Sequence, residues 1–301
     1  MTKPPLQSLY DERVTQECER VLVSLLRGLG PWRDSVFLVG GLVPRYIVSA
    51  RPPAVPKHAG TGDIDVLVDL AILADTEAYA SLEKNLKQMG FERGENDAGR
   101  KVNWRWTVRT ETGATVILEF IADDGGAGGK VRELPTKGNV SAVHIPHAAM
   151  VFDMHEKRAV TAELLGGNGV ATETISYANR VSFICLKAFA FDDRGARKDS
   201  HDLLYCLEHA EGGVDTAIEH FKIALAGPHA ATVELAVDVV RRRFCDDDTT
   251  EGYLKDGPVS AALFEIEGDS REIRDARVLR QRNANELARR LLEGLTKPQS
   301  E

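Results

Sequence analysis

The chain has 301 residues, 43% hydrophobic and 28% charged, which excludes a disordered or membrane-embedded class and allows one large domain or two smaller ones. Its net charge of -8 argues against a protein coated in nucleic acid, although a local basic face is compatible with it. No apolar run approaches the ~20 residues of a membrane span, and the N-terminus lacks the apolar core of a signal peptide. We therefore expect a cytoplasmic protein without a membrane partner. The four cysteines are scattered without metal-ligand spacing, so zinc is not expected.

The first part of the chain alternates helical and extended patterns. Apolar residues at helical spacing predict a helix over residues 9–29, which Gly30 and Pro31 end. Residues 32–39 predict a buried strand, and residues 42–48 predict the start of a helix. Prolines within 51–60 remove backbone donors and predict a loop.

A buried strand, an amphipathic helix and further strands follow that loop. The strands are expected around residues 63–68, 91–92, 103–109, 115–121 and 159–165, and the helix over 75–89. Later patterns are helical, over residues 176–192, 199–210, 214–225, 230–244 and 270–295. We therefore predict an α/β (α+β) fold, with a mixed sheet flanked by helices in a domain of residues 1–170 and a helical domain of residues 171–301.

Two acidic residues share one side of the strand predicted at 63–68. Asp63 and Asp65 lie two apart, so both project to the same face, where like charges repel unless a cation separates them. Glu119 stands in a second apolar strand pattern and could complete an oxygen-ligand site for a divalent ion such as Mg²⁺. Asp123 and Asp124 are rival third carboxylates.

Glu119 also has an alternative interpretation as the partner of an arginine. Arg105 and Arg109 stand on the strand predicted at 103–109, and a buried carboxylate is often simply ion-paired. On the same strand, Trp104 and Trp106 could stack on bases, but core packing is the more common role for such aromatic residues. The sequence leaves the two interpretations of Glu119 open.

A glycine pair lies between the first predicted strand and the helix that follows it. Gly40 and Gly41 could present backbone amides and a helix N-terminus to a phosphate, although a tight turn needs the same residues. The glycine-rich segment 123–130 is not expected to be a phosphate-binding loop, because it lacks the first glycine and the Ser or Thr of that motif.

A second polar cluster is predicted in the helical half. Lys187 lies on an otherwise apolar helix and either extends to solvent or reaches into a cleft, where it could hold a triphosphate. Asp199 and Asp202 lie about one helical turn apart and could orient Lys187 or contact a nucleotide. Asp199 could instead cap a helix, and His201 is expected at the surface.

These residues together resemble the nucleotidyltransferase superfamily. Its core pattern is a strand, a glycine pair, a helix and Asp-hydrophobic-Asp, as in Gly40, Gly41, Asp63 and Asp65, although the proline-rich insertion makes the gap longer than usual. More narrowly, the chain is similar to the AbiEii toxin nucleotidyltransferases of bacterial abortive-infection and toxin–antitoxin systems. The residues that carry this narrower resemblance are Thr61, Leu186, Lys187, Arg197, Lys198, Asp199, Asp202 and Leu203.

The resemblance implies a Mg²⁺-dependent transfer of a nucleoside monophosphate from an NTP, with release of pyrophosphate. Asp63 and Asp65 would bind Mg²⁺, and Glu119 would activate the acceptor hydroxyl or complete a second metal site. Residues implied to contact the nucleotide, or to act beside it, are Gly40, Gly41, Thr61, Lys187, Lys198, Asp199 and Asp202. The acceptor would be the 3′ end of tRNA, and an antitoxin would be a partner.

Two other functions remain open from the sequence. The chain could modify a small molecule of the aminoglycoside type, since an acidic cleft attracts a cationic substrate. It could also be a nucleotide-binding protein without turnover. The arginines of residues 271–290 could guide RNA, but interleaved acidic residues favour a salt-bridged exposed helix equally well.

Overall fold

The computed structural model describes residues 4–70, 82–123, 131–134 and 139–296. The chain forms two compact units. The first, here called the sheet unit, comprises Asp11–Tyr46 and Gly60–Asn179. The second, the helical unit, comprises Pro4–Tyr10, Ile47–Ala59 and Arg180–Glu301. The proline-rich loop therefore belongs to the helical unit, although it precedes the acidic strand in sequence.

Among the described residues, the sheet unit is built on a nine-stranded mixed sheet. The strands are β1 (Val36–Val39), β2 (Asp63–Val68), β3 (Glu92–Glu95), β4 (Lys101–Arg109), β5 (Thr115–Ala122), β6 (Val131–Glu133), β7 (Ser141–His144), β8 (His155–Glu163) and β9 (Val170–Ala178). They follow the order β3-β4-β5-β2-β1-β9-β8, while β7 pairs with both β5 and β6. The pairing of β2 with β5 is parallel, whereas β2 with β1 and β5 with β4 are antiparallel. This sheet confirms the predicted fold class.

The long helix α1 (Glu12–Leu29) covers the sheet and places its apolar side against it. Asp11 caps its N-terminus by accepting a hydrogen bond from the Arg13 amide at 2.9 Å. Its buried residues recur at helical spacing, which is why the sequence predicted this helix closely. Shorter helices are α2 (Pro44–Ile47), α3 (Leu82–Gln88) and α4 (Met150–Asp153).

The helical unit contains six further helices among its described residues. Phenylalanine side chains from these helices fill its core, including Phe183, Phe191, Phe244 and Phe264, each at most 1% exposed. Nowhere in the described part of the chain is a helix both long and apolar enough to cross a bilayer. The helices are α5 (Arg180–Arg194), α6 (Arg197–His209), α7 (Gly213–Leu225), α8 (Ala230–Phe244), α9 (Asp256–Glu265) and α10 (Arg271–Thr296).

Several predicted boundaries are wrong for identifiable reasons. Residues 30–35 form a 3-10 helix rather than the start of a strand, because Gly30 and Pro31 turn the chain there. The helix predicted from residue 42 has only four residues after a 3-10 turn at Gly40–Leu42. The sequence did not predict α4, α9, β6 or β7. Of the helix predicted over 75–89, α3 is confirmed and residues 71–81 lie outside the described residues.

The strand β9 was missed because a charged residue occupies its buried face. Residues 176–178 belong to this strand and not to the helix predicted from 176. Glu173 is only 3% exposed and accepts hydrogen bonds from Arg27 at 3.2 Å and Arg33 at 3.0 Å. A buried acidic residue conceals the apolar alternation by which a strand is recognised.

Ion pairs account for several arginines of α10. Arg280 donates to Glu265 and to Glu208, and Arg290 donates to Asp215 at 2.9 Å. Arg289 pairs with Glu286 and Glu293 on its own helix. These contacts agree with a salt-bridged helix, the second of the two interpretations of this segment.

Candidate functional site

The register of the sheet places the predicted acidic residues side by side. In the parallel pairing of β2 with β5, Asp65 lies directly beside Glu119, and Asp63 lies beside Ile117. Neighbouring residues across strands project to the same face, as do residues two apart on one strand. Asp63, Asp65 and Glu119 therefore share one face, and we call them the acidic row.

The opposite face of the same strands is apolar and fully buried. Ile64 and Val66 of β2 and Leu118 of β5 are 0% exposed. Because side chains alternate along a strand, burying these residues directs the intervening carboxylates to the other face. The acidic row is itself partly enclosed, since Asp65 is 9% exposed and the Glu119 side chain is 22% exposed.

The turn after β1 closely approaches the acidic row. Gly40 adopts φ +73°, and a Cβ added there would lie 2.6 Å from the Asp65 Cγ and 2.8 Å from its Cβ. Rotating the Asp65 side chain would not move the Asp65 Cβ, so it cannot relieve the contact with that atom. A glycine is therefore required at position 40 both by the backbone conformation and by the proximity of the Asp65 side chain. Gly41 lies buried in the same 3-10 turn.

Hydrogen bonds of Thr61 hold the backbone just before β2. Its backbone N–H donates to the Thr15 hydroxyl at 2.9 Å, and that hydroxyl donates to the Thr61 carbonyl at 3.1 Å. The Thr61 hydroxyl in turn accepts a hydrogen bond from the Asp63 amide at 3.2 Å. Thr61 thus links helix α1 to the start of the acidic strand and orients the backbone at Asp63.

The charges of the acidic row act on the ionisable groups beside them. Burial, and then the nearby charge of Asp65, raise the pKa of Glu119 to about 7, against the opposing effect of Arg105. Burial and the charges of Asp63 and Asp65 also raise the pKa of the Cys18 thiol. Carboxylate oxygens grouped on one face are ligands that a hard divalent ion such as Mg²⁺ prefers, so these residue types fit the predicted cofactor.

The rival carboxylate Asp123 is distant from this row. It follows β5 four residues after Glu119, which is about 13 Å along a strand. Its Oδ2 accepts a hydrogen bond from the Ala149 amide at 3.0 Å. Glu119 is therefore the third carboxylate of the row. The other rival, Asp124, lies outside the described residues.

The contacts of β4 test whether Glu119 pairs with an arginine and whether the neighbouring tryptophan packs in the core. Arg105 on β4 lies directly beside Glu119, and its Nε donates to Glu119 Oε1 at 2.6 Å. Arg109 instead lies beside Thr115, at the other end of the pairing. The ion pair with Arg105 is present. Core packing is confirmed for Trp106, which is 0% exposed.

The predicted residues of the helical half form a buried network of ion pairs. Lys187 donates to Asp199 at 3.0 Å and lies 2.6 Å from an oxygen of Asp202. Lys198 donates to both oxygens of Asp202, at 2.8 and 2.9 Å. Arg194 donates to both oxygens of Asp199, at 2.7 and 2.8 Å. We call these residues the buried ion network.

The contacts exclude one alternative for Lys187 and show that two other predictions for this region are wrong. Of the two alternatives for Lys187, extension to solvent is excluded, since its side chain is 7% exposed. Asp199 does not cap a helix, because α6 begins at Arg197 and Asp199 lies within its first turn. His201 is not a surface residue, since it is 3% exposed and bonds Glu265 through Nδ1 at 2.8 Å. The charges pair internally, which lets these polar residues be buried.

The electrostatics of the network agree with its pairing. Opposing the effect of burial, the charge of Lys187 and the hydrogen bonds of Arg194 lower the pKa of Asp199 to about 2. Lys187 and Lys198 hold the pKa of Asp202 well below its ordinary value despite complete burial. Both carboxylates are therefore ionised at neutral pH.

His58 belongs to this network and was not predicted. It lies in the proline-rich loop, and its Nε2 is 2.9 Å from Asp202 Oδ1. The nitrogens of His58 and His201 and an Asp202 oxygen lie within 4.8 Å of one another, a distance compatible with a metal site. However, Lys187, Lys198 and His58 already contact the two Asp202 oxygens, so a cation would have to displace an ammonium group. The contacts favour an ion-pair network here over a metal centre.

Neither a family model nor a curated protein sequence matches this chain.

We expect Gly40→Ala to destabilise the protein by more than Gly99→Ala. Gly99 has nearly the same φ, +70°, but no atom within 4 Å of an added Cβ. Both variants incur a backbone cost of about 1–2 kcal/mol. Gly40→Ala also crowds Asp65, which should add about 1–3 kcal/mol. Urea unfolding measures both, and equal losses would contradict the close approach of Gly40 to Asp65.

We expect Asp202→Asn to be strongly destabilising, by about 3–5 kcal/mol, because it leaves buried lysines without their partner. Asp269→Asn is the matched control, since it makes the same change in the helical unit on a side chain that is 96% exposed. The control should unfold at the wild-type urea concentration. An Asp202→Asn protein as stable as this control would show that the network contributes nothing to stability.

His58 should make stability depend on pH. Burial lowers its pKa from 6.5 to about 4, so the unfolded chain binds a proton at a pH where folded His58 does not. The free energy of unfolding should therefore fall by up to about 3 kcal/mol as pH decreases from about 6.5 to 4. His58→Gln should flatten that part of the profile, and His220→Gln, which removes an exposed histidine, should not. Identical profiles for wild type and His58→Gln would refute the assignment.

Proposed function

We propose that the protein transfers a nucleoside monophosphate from an NTP to an acceptor hydroxyl and releases pyrophosphate. The observation that supports this most strongly is the register of β2 and β5, which aligns Asp65 with Glu119 and puts Asp63 on the same face. Three carboxylates on rigid strands can hold a divalent ion and a phosphate chain in a fixed geometry. The glycine turn adds a segment of backbone beside Asp65 without a side chain in the way.

The acidic row divides between two proposed roles. Asp63 and Asp65 would hold Mg²⁺, which would neutralise charge on the phosphates. The acceptor oxygen attacks the α-phosphorus, and the bond from that phosphorus to the pyrophosphate oxygen breaks. Glu119, directly beside Asp65 in the pairing of β2 with β5, takes the proton of the acceptor hydroxyl.

The resemblance to AbiEii toxins extends this proposal to substrate and partner. The acceptor is then the 3′ end of tRNA, transfer arrests growth, and a separate antitoxin neutralises the enzyme. Thr61, Gly40 and Gly41 hold the triphosphate beside the acidic row. The role of Lys187, Lys198, Asp199 and Asp202 toward the nucleotide stays a prediction from the resemblance.

Incubation with each of the four α-³²P-labelled NTPs, Mg²⁺ and total tRNA tests the proposal. We expect label to transfer to tRNA with at least one nucleotide, with release of unlabelled pyrophosphate. Asp63→Asn should reduce the rate by at least about a hundredfold, because the metal loses a ligand. The same assay with an aminoglycoside in place of tRNA tests the alternative acceptor.

Asp69→Asn is the matched control, since Asp69 directly follows β2 and lies outside the acidic row. It should leave transfer near the wild-type rate. NTP binding without label transfer to tRNA or aminoglycoside, unchanged by Asp63→Asn, would contradict the proposal and favour a binding protein without turnover.

A further inference from the structure

The strand β8 forms an open edge of the sheet. It is last in the strand order and, among the described residues, pairs only with β9. This pairing continues without a bulge along all nine residues of β8. On the other side of β8, the backbone N–H and C=O groups therefore have no strand partner in the described part of the chain.

The other outer strands are protected against further pairing, whereas β8 is not. At the opposite edge, β3 has four residues and an irregular register between Arg93 and Glu95. The strand β6 has only three residues. Short strands, bulges and proline are common means of preventing an edge from pairing with another chain. Because β8 is long, regular and without proline, its backbone can accept a further strand.

The two faces of β8 differ in exposure. Val160 is 8% exposed and lies opposite Glu173, which accepts a hydrogen bond from Arg27 of α1, so its face is the one beneath that helix. The intervening side chains project to the other face and are exposed. These exposed residues are Lys157, Ala159, Thr161 and Glu163.

A second copy of this chain can extend the sheet at β8 through a twofold axis perpendicular to it. Such an axis makes the two β8 strands antiparallel and keeps each face of the sheet continuous. Residues that lie opposite each other then share a face, so their positions differ by an even number. Three registers pair at least seven of the nine residues of β8, with Arg158, Ala159 or Val160 on the axis.

Charge distinguishes these three registers. With Arg158 on the axis, two arginines face each other, which is unfavourable. With Ala159 there, Lys157 faces an uncharged residue. With Val160 there, Lys157 lies opposite Glu163 of the second copy, and the twofold axis repeats this attractive pair. Within the described part of its own chain, neither Lys157 nor Glu163 has an ion-pair partner.

We propose that β8 is an interface at which a second copy of this chain binds, with the two strands antiparallel and Val160 on the twofold axis. A second copy fits this edge because the strand is complementary to itself in charge, and a lysine on the edge disfavours strands that offer it no acidic partner. The inference is independent of the proposed function. Three strand spacings, about 14 Å, separate β8 from β2, so the acidic row lies outside the interface.

Sedimentation velocity of the full chain from about 1 to 200 µM tests this interface. We expect the wild type to convert from monomer to dimer as its concentration rises. Lys157→Glu and Glu163→Lys should each raise the dimer dissociation constant by at least about fivefold, because each turns two attractive pairs into repulsive ones. The double variant Lys157→Glu/Glu163→Lys should restore the wild-type constant. Lys84→Glu, an equal charge change at an exposed position of α3, should leave the constant unchanged.

Single cysteines locate the twofold axis. A residue on the axis faces itself at a Cα–Cα distance of about 4.5–5.5 Å, which a disulfide spans. Val160→Cys should therefore give a disulfide-linked dimer under mild oxidation, whereas Ala159→Cys, which faces Thr161 of the second copy, should not. The wild type is the control, because its four cysteines are buried. If Val160→Cys does not fold, as judged by circular dichroism, the charge variants still test the interface.

Several results would overturn the inference. A wild type that stays monomeric would do so, as would a dimer unaffected by either charge reversal, a double variant that does not recover, or a disulfide in Ala159→Cys but not in a folded Val160→Cys. A monomer whose β8 amides become protected from hydrogen exchange only when another protein is added would assign the edge to a different occupant. A dimer that forms as expected but transfers no nucleotide would leave this interface standing, and only the proposed function would fail.

Discussion

The parallel pairing of β2 with β5 is the constraint on which the acidic row depends. It aligns Asp65 with Glu119, and a slip of one residue would turn every side chain of one strand to the opposite face. That slip is opposed by Ile64 and Leu118, which would leave the core and be replaced there by carboxylates. The apolar residues of these strands therefore set the position of the acidic ones. The site is as rigid as the sheet core because the same register defines both.

The acidic row and the buried ion network shift the pKa values of their carboxylates in opposite directions, each within its own unit. In the buried ion network, Asp199 and Asp202 face three cationic side chains, and the pKa values of both carboxylates are lowered. In the acidic row, burial and the charge of Asp65 raise the pKa of Glu119 against the effect of Arg105. Ion pairs that lower a carboxylate pKa stabilise the fold at neutral pH, whereas a raised carboxylate pKa reflects repulsion and burial that a bound cation would relieve. Residue type alone does not distinguish these outcomes, because Asp is common to both.

The sequence predicted those features that local patterns encode. The strand β2 follows from the apolar residues around its two aspartates, and the bounds of α8 follow from helical spacing. The helix α1 also follows from this spacing, but it begins at Glu12 rather than at the predicted residue 9. The alignment of Glu119 with Asp65 was expected only from strand order, since register depends on contacts between distant segments. The sequence likewise did not show whether Arg105 or Arg109 pairs with Glu119. The pairing of β4 with β5 places Arg105 beside Glu119. His58 was missed because a histidine in a proline-rich loop carries no local sign of burial beside Asp202.

The internal pairing of Lys187 bears on its predicted role with a triphosphate. Its ammonium group has three N–H donors, and contacts with Asp199 and Asp202 occupy two of them. A phosphate that left both ion pairs intact would have only the third N–H from which to accept a hydrogen bond. Breaking them would leave two buried carboxylates short of a cation, at a cost of several kcal/mol. If Lys187 contacts a phosphate, it does so from a fixed position, and the two aspartates act by orienting the ammonium rather than by contacting the nucleotide.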